Sequence, residues 1–598
     1  MSHTPVQPET AEPLRYALNF PAPHAHGVEI EVSIPTGGQP QVELMMAVWT
    51  PGSYLVREFS RHVEGVTALG ASGATLAVER TAKNRWRVTT VGAPRITVTY
   101  RVYAREMSVR TNWVEAGFAL LNGAPTFITL ADSVARPHEV TLALPAGWAS
   151  CFTALELVPG ESHTYRAPDF DALVDSPFVA GTPEVLEFQV DGKLHFLVTE
   201  GGGGVFDGSA AVRDLERVVR EHRRMWGFLP YEQYRFFNLI TEGRGGLEHR
   251  DSCTIMASRW ATRSRKAYLS WLELASHEFF HAWNGKRLRP AELGPFDYER
   301  ENYTRSLWAV EGITDYYGDL AVHRAGLSNQ EEYLASLSNQ IEVLQTTPGR
   351  LAQPADRASL ETWIRFYHPD ENSPNVSISY YTKGYVLAFL LDSRVRRETK
   401  GAASLDDVMR TAYGAYSGRR GYTVDEFQAV AEQVAGTSLA DFWSAGVTGV
   451  GELDYSGALA TLGLRFRRAD PAPPDPLVGG YLGALTREDV GRLVVSGIPR
   501  DTPAHDGGLN VEDEILAIDE FRVLADGLPD RLARYRPGDI VSVLVSRRER
   551  LQRLAMTLGA APVSQWRLEP DPKADDESAL ERERWLRGQT VVAFSPGG

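Results

Sequence analysis

Two histidines four residues apart, in His277-Glu278-Phe279-Phe280-His281, constrain this chain more than any other stretch. On an α-helix, positions i and i+4 lie one turn apart on the same face, so two imidazoles there can meet one metal ion. Trp271, Leu272, Leu274, Phe279 and Phe280 supply apolar packing around them, with no proline or glycine among them. The pattern predicts a helix from about Ala267 through Leu288, stopped before Pro290. Two such histidines are also compatible with satisfied core groups, so the remaining ligands must decide. Zinc with a catalytic role takes three protein ligands and keeps one position open. Glu311, on a second long helix read from Ser306 in WAVEGITD, is the best third ligand, set among Leu307, Trp308 and Val310. Asp315 stands one turn further on the same side, where it can accept the N–H of a ligating imidazole, His277 first. Glu278 is then the general base, taking a proton as water attacks a carbonyl and returning one to the leaving amine.

The organisation around this motif is uneven. A length of 598 residues suggests two to four domains at about 150 residues each. Residues 1–180 read as an antiparallel β domain: Val28, Ile30, Val32 and Ile34 alternate with polar residues, and QVELMMAVW and RITVTYRVYA are further strands. Residues 181–455 read as mostly helical after a small sheet. AVRDLERVVREHRRMWGFL sets Leu215, Val218, Val219 and Met225 on one face, and YRFFNLI is a strand. Ser404 and Thr423 stand at N-cap positions, the second read without a Glu or Gln partner at N3. Residues 456–565 form a small mixed domain with a Pro-rich loop in LGLRFRRADPAPPDPLVGG, strands GRLVVSGI, EDEILAID and DIVSVLVSR, and a short helix in LPDRLARY. Residues 566–598 are a charged C-terminal tail, expected at the periphery.

These segments together resemble the bacterial glycyl aminopeptidase family of gluzincin metallopeptidases, over almost the whole chain. PGSYLVREFSRHV at 51–63, HEFFHAWN and WAVEGITDYY carry the likeness in order. The resemblance implies a multidomain α+β protein: an N-terminal antiparallel β domain, a thermolysin-like zinc peptidase domain and a C-terminal PDZ-like domain. It implies one Zn²⁺ per chain. It also gives roles to two further segments. In Gly245-Gly246-Leu247-Glu248-His249 the backbone of Gly245 and Gly246 would align the substrate and Glu248 would bind its α-amine. The residues alone permit this, because adjacent glycines admit close backbone approach and a carboxylate pairs with ammonium, but they equally fit a turn with a surface glutamate. In Tyr380-Tyr381-Thr382-Lys383-Gly384, Tyr381 would donate to the tetrahedral oxyanion, with Lys383 as support. Gly480-Tyr481-Leu482-Gly483 resembles a carboxylate-binding loop able to hold a peptide C-terminus by β-addition, although Glu512 replaces a usual glycine.

The expected activity is removal of N-terminal Gly, then Ala, from peptides with a free N-terminus. A zinc endopeptidase, with Glu248 structural, and a noncatalytic PDZ-mediated peptide-binding protein are the alternatives. Net charge is −15, against general nucleic-acid binding. No apolar run is long enough for a membrane span, and the N-terminus lacks a basic start followed by an apolar stretch. With two cysteines, Cys151 and Cys253, which cannot make a disulfide framework, the reading is a cytoplasmic protein. Cys253 has no adjacent base and reads as a small buried hydrophobe; His249 and Arg244 are possible site neighbours. The oligomeric state is not readable.

Overall fold

The computed structural model describes residues 11–132, 134–418, 420–467, 479–524, 526–562 and 565–588. The Pro-rich stretch at 468–478 lies outside the described residues, as do 1–10 and 589–598.

The first part of the chain is β-rich. Strict alternation sends Val28, Ile30, Val32 and Ile34 inward from strand Gly27–Pro35, with Glu29 and Glu31 outward. That strand lies between Leu14–Asn19 and Arg95–Tyr103 in an eight-stranded sheet, which two four-stranded sheets accompany. The pairing is antiparallel except at one place. Leu14–Asn19 runs parallel to His138–Ala143, which corrects the expectation of wholly antiparallel pairing. A parallel partner needs a long connection, and the strands in between supply it.

The second part opens on a mixed five-stranded sheet. Lys193–Glu200, Gln233–Ile240 and Ser252–Ala257 run parallel, and Gly245–Glu248 closes one edge antiparallel to Ser252–Ala257. Helix Gly208–Trp226 buries Leu215, Val218, Val219 and Met225. Helices Arg265–Phe280, Ile313–Arg324 and Tyr380–Thr399 form the body of one large apolar core. Ser404 caps its helix reciprocally with Asp407, and Thr423 does so with Glu426. The expectation that Thr423 lacks an N3 partner is thereby corrected: Glu426 stands three residues after Thr423 and fills that place. Val109, Leu120 and Val179 of the β-rich part pack against Val198, Phe237, Leu247 and Met256 of the mixed sheet, an apolar seam between the two parts.

A third sheet, with strands Leu485–Asp489, Arg492–Gly497, Glu514–Ile518, Ile540–Arg547 and Arg550–Thr557, has its own small core around Leu482, Val495, Ile515 and Val543. Glu512 adopts φ +70 there, in the left-handed region that glycine enters most easily. The segments flanking this module return to the main body: Leu464–Phe466 pairs with Leu568–Pro570, and Leu464 and Leu568 join the large core. The final helix, Asp576–Arg587, is not peripheral. Trp585 is fully buried against Tyr333 and Phe389, and its indole N–H donates to Tyr316 Oη at 2.7 Å. The charges that suggested a free tail occupy the outer face of this helix; Glu581, on the inner side, accepts from buried Arg396.

Candidate metal centre

The first ligand pair comes from the end of a helix. Ser264 caps Arg265–Phe280, and the helix stops at Phe280 with His281 as its C-cap, earlier than expected. The chain then turns at Gly285, φ +109, where a Cβ would come within 3.1 Å of His281 Nδ1. His281 Nδ1 bonds the Asn284 carbonyl at 2.8 Å, which places the proton there and leaves Nε2 as a lone-pair donor. His277 Nδ1 lies 2.7 Å from Asp315 Oδ1, an approach bent away from a linear hydrogen bond.

Glu311 sits on an irregular turn that its helical residue pattern does not announce. Trp308–Gly312 forms one π-helical turn leading into helix Ile313–Arg324, not the start of a continuous α-helix. Such single turns are rare and often found at functional sites. Two glycines make room for it: a Cβ on Gly312 would collide with Gly384 Cα, and one on Gly384 with the Trp308 carbonyl oxygen. The π-turn and helix Tyr380–Thr399 therefore meet backbone to backbone, which brings Glu311 and Tyr381 to the same place. Asn284 fixes the turn from the other side, donating to the carbonyl oxygens of Ala309 (3.1 Å) and Val310 (3.0 Å) and to Thr314 Oγ1 (3.1 Å). One side chain thus ties the histidine segment to the glutamate segment.

The donor atoms converge. Nε2 of His277 and His281 are 3.0 Å apart, and Glu311 Oε2 is 3.2 Å from His281 Nε2 and 3.6 Å from His277 Nε2. Ligands about 2.0–2.1 Å from a tetrahedral zinc would be separated by roughly 3.3–3.4 Å, so this triangle fits the ion. His277, Glu278 and His281 also form a cluster whose potential donor atoms lie within 4.8 Å of one another. All four side chains are buried. Burial disfavours the charged imidazoles, but Asp315 and Glu311 outweigh it and hold His277 well above its ordinary range, and Glu311 raises His281 against the same penalty. Burial opposes ionisation of Glu311, yet His281 and His277 keep it below the usual carboxylate range. Glu278 goes the other way: burial pushes it up to about 7 against the pull of both histidines. Its Oε2 is buried without a hydrogen-bond partner among the described residues.

The remaining candidates border this cluster. Glu278 lies directly under the edge strand, where any Cβ on Gly246 would collide with its carboxylate. Glu248 is buried, and both its oxygens would lie 2.6 Å from a Cβ on Gly52, which has φ +83. The Pro51-Gly52-Ser53-Tyr54 turn of the β-rich part therefore covers Glu248. Tyr54 was not singled out in the sequence; burial raises its phenol far above the ordinary range, with Glu311 and Glu248 adding to the effect. Tyr381 is half-buried with its ring 6.3 Å from that of His277, whereas Tyr380 is fully buried. Lys383 points away, to the Gly449 carbonyl at 3.2 Å. Lys286 pairs with Asp175 at 2.8 Å; burial works against its charge, but Asp175 and Glu248 outweigh it. His249 Nδ1 faces Asp175 Oδ1 at 3.3 Å, Arg244 is exposed and bonds Ser270 at 2.7 Å, and Cys253 is buried, which raises its thiol well above the ordinary range. Among the described residues no helix is long and apolar enough to cross a membrane.

Residues 15–182 match the family model of the peptidase M61 N-terminal domain, and residues 270–387 match that of the M61 glycyl aminopeptidase. The second match spans His277, Glu278, His281, Glu311, Asp315 and Tyr381; Gly245, Gly246 and Glu248 fall outside both. No curated protein matches the chain. A crystal structure of an aminopeptidase N family protein from Idiomarina loihiensis is similar at 28% identity and a TM-score of 0.88, covering 96% of this chain and 100% of that one. An M1 zinc metallopeptidase from Deinococcus radiodurans aligns at 15% identity and a TM-score of 0.47, over 74% of this chain and 95% of that one. The M61 matches, with the Idiomarina likeness across nearly the full chain, support a peptidase.

Proposed function

We propose that this protein is a zinc aminopeptidase that removes N-terminal glycine, and alanine less readily, from peptides. His277, His281 and Glu311 would hold the ion, with Asp315 orienting His277. Bound there, zinc would supply Lewis acidity and lower the pKa of water. Glu278 takes the proton of the attacking water on its unpartnered carboxylate as the new C–O bond forms, and then passes it to the leaving amine as the peptide C–N bond breaks. A carboxyl group pushed up by burial suits both halves of that task. Tyr381 donates a hydrogen bond from its phenol to the oxyanion; burial keeps that phenol protonated. The backbone of Gly245 and Gly246 aligns the substrate as an added strand, and the missing side chain at Gly246 leaves Glu278 its place.

The observation that carries the exopeptidase reading is the burial of Glu248 under Gly52. A covered carboxylate at one end of the edge strand suits pairing with an α-ammonium. Glycine preference comes from the family likeness. The PDZ-like assignment of residues 456–565, and capture of a peptide C-terminus there, belong to the same proposal, as do the divisions at 1–180, 181–455 and 566–598.

The test compares glycyl and alanyl substrates with free and blocked amines, before and after chelation and zinc restoration. Cleavage confined to free amines and lost with the metal is expected; equal cleavage of blocked substrates would rule out an aminopeptidase and favour the endopeptidase.

A further inference from the structure

Among the described residues, two half-buried arginines of the β-rich part, Arg57 and Arg110, have no carboxylate partner within ion-pair distance. Arg57 uses only Nη1, bonding the carbonyl oxygens of Ser53 (3.4 Å) and Leu55 (3.2 Å), and its guanidinium lies 5.9 Å from the Tyr367 ring centre. Arg110 has a buried Nε with no hydrogen-bond partner among the described residues. Glu106, which acts weakly on Arg57, is already engaged by Arg61 at 3.3 Å. Burial, then the like charge of Arg110, pulls Arg57 down to about 10. Arg57 bonds Ser53 of the turn that covers Glu248, Arg110 follows Val109 at the Gly245 end of the edge strand, and both act on the Tyr367 phenol, as Glu311 does, so the pair borders the same cleft. Two half-buried guanidiniums with donors to spare are costly unless an anion joins them.

The polarity of the cleft says where that anion would come from. With the substrate amine at Glu248 and proton transfer by Glu278 beneath Gly246, a bound peptide runs antiparallel to the edge strand, and its leaving residue points toward Gly245. A Cβ on Gly245 would lie 3.9 Å from Val109 Cγ2, the residue just before Arg110. At about 3.4 Å per extended residue, the carboxylate of a di- or tripeptide lies roughly 7–10 Å from its amine, about the span from Glu248 to Gly245.

We propose that Arg57 and Arg110 form a carboxylate subsite on the leaving-group side, selecting short peptides whose free C-terminal carboxylate reaches it. The direction of binding rests on the aminopeptidase reading. An acidic side chain presents the same chemistry, so the experiment separates the two.

The zinc-loaded full-length protein is assayed on Gly-Ala against Gly-Ala-amide, and on Gly-Asp-amide against Gly-Asn-amide. Calorimetric binding of the same pairs to Glu278→Gln is measured in parallel. The wild type should favour Gly-Ala over its amide by about 10- to 100-fold, chiefly through KM. Arg110→Gln, which forfeits no hydrogen bond within the described fold, should bring that ratio close to one, and Arg110→Glu should invert it. Arg57→Gln should act likewise; if it fails to fold, Arg57→Lys keeps the charge but loses the fork and should retain only part of the preference. Equal treatment of Gly-Ala and its amide by the wild type would overturn the subsite, as would an unchanged ratio in Arg110→Gln. Loss of the ratio in Arg244→Gln alone would also overturn it. A preference confined to Gly-Asp-amide would overturn the short-peptide reading. If nothing is hydrolysed yet carboxylate-selective binding disappears in an Arg110→Gln, Glu278→Gln double variant, the subsite stands and the peptidase proposal falls.

Discussion

Replacing Glu278 by Gln keeps the shape of the site and removes its proton carrier. Turnover should fall by about 10²–10⁴-fold while bound zinc, measured by elemental analysis, stays near one per chain. Tyr381→Phe should lower kcat by about 10²–10³-fold with little change in KM, because only the oxyanion loses a donor. The histidines add a pH dependence. His277 and His281 are held above their ordinary range by Asp315 and Glu311, although burial opposes this. The metal-free protein therefore folds with protons that a ligating imidazole must shed. Apparent zinc affinity should rise with pH through that raised range, with protons released on binding. The sign for stability of the metal-free protein is the reverse. The contribution of groups with raised folded pKa values is full below the ordinary histidine range and is lost as pH climbs through the folded values. Zinc titrations and chelated thermal melts across neutral pH read both slopes; a flat affinity would contradict the proposed ligand set.

Between elements, the decisive contact is the crossing of Gly312 and Gly384. Gly384→Ala forces a methyl into the Trp308 carbonyl, and should cost about 1–3 kcal/mol or more in thermal unfolding. It should also weaken zinc binding, since the π-turn carrying Glu311 must move. Asn284→Ala removes the bonds joining the two ligand segments and should reduce metal affinity about 10–100-fold. These two positions mark where sequence legibility ends. The histidine pair could be read because i,i+4 spacing is local, and the alternation of Val28 to Ile34 because one sheet face is dry. The π-turn could not, since its residues keep a helical pattern and only the glycine opposite, far along the chain, makes the wide turn fit. Asn284 and Tyr54 carried no signal of their part in the site for the same reason: each matters through partners that only the folded chain supplies. The early end of the histidine helix does carry a local signal, the turn dipeptide Asn284-Gly285, set against otherwise helical neighbours.

For the molecule as a whole, the misread tail is the instructive case. Its charges dominate the composition of Asp576–Arg587, and one tryptophan decides where the helix goes. Trp585→Ala should destabilise the protein by about 3–5 kcal/mol, read as a lowered unfolding temperature, although the residue lies far along the chain from every proposed ligand. The β-rich part is equally integral: its turn at Gly52 lies on Glu248 and its Val109 on the edge strand, so the cleft takes walls from both parts. Between these fixtures, the module carrying Leu482, Val495 and Ile515 has a core of its own and touches the main body through Asn375, which bonds the backbone of Ile498 and Arg500.

The pairing of Leu464–Phe466 with Leu568–Pro570 has a practical corollary. Where the chain departs into that module and where it comes back, neighbouring strands run side by side, about 5 Å apart. A short glycine-rich hairpin could bridge such a gap. The module therefore has the geometry of an interchangeable cartridge, one that a lineage or an engineer could swap for another without reopening the scaffold that carries the chemistry.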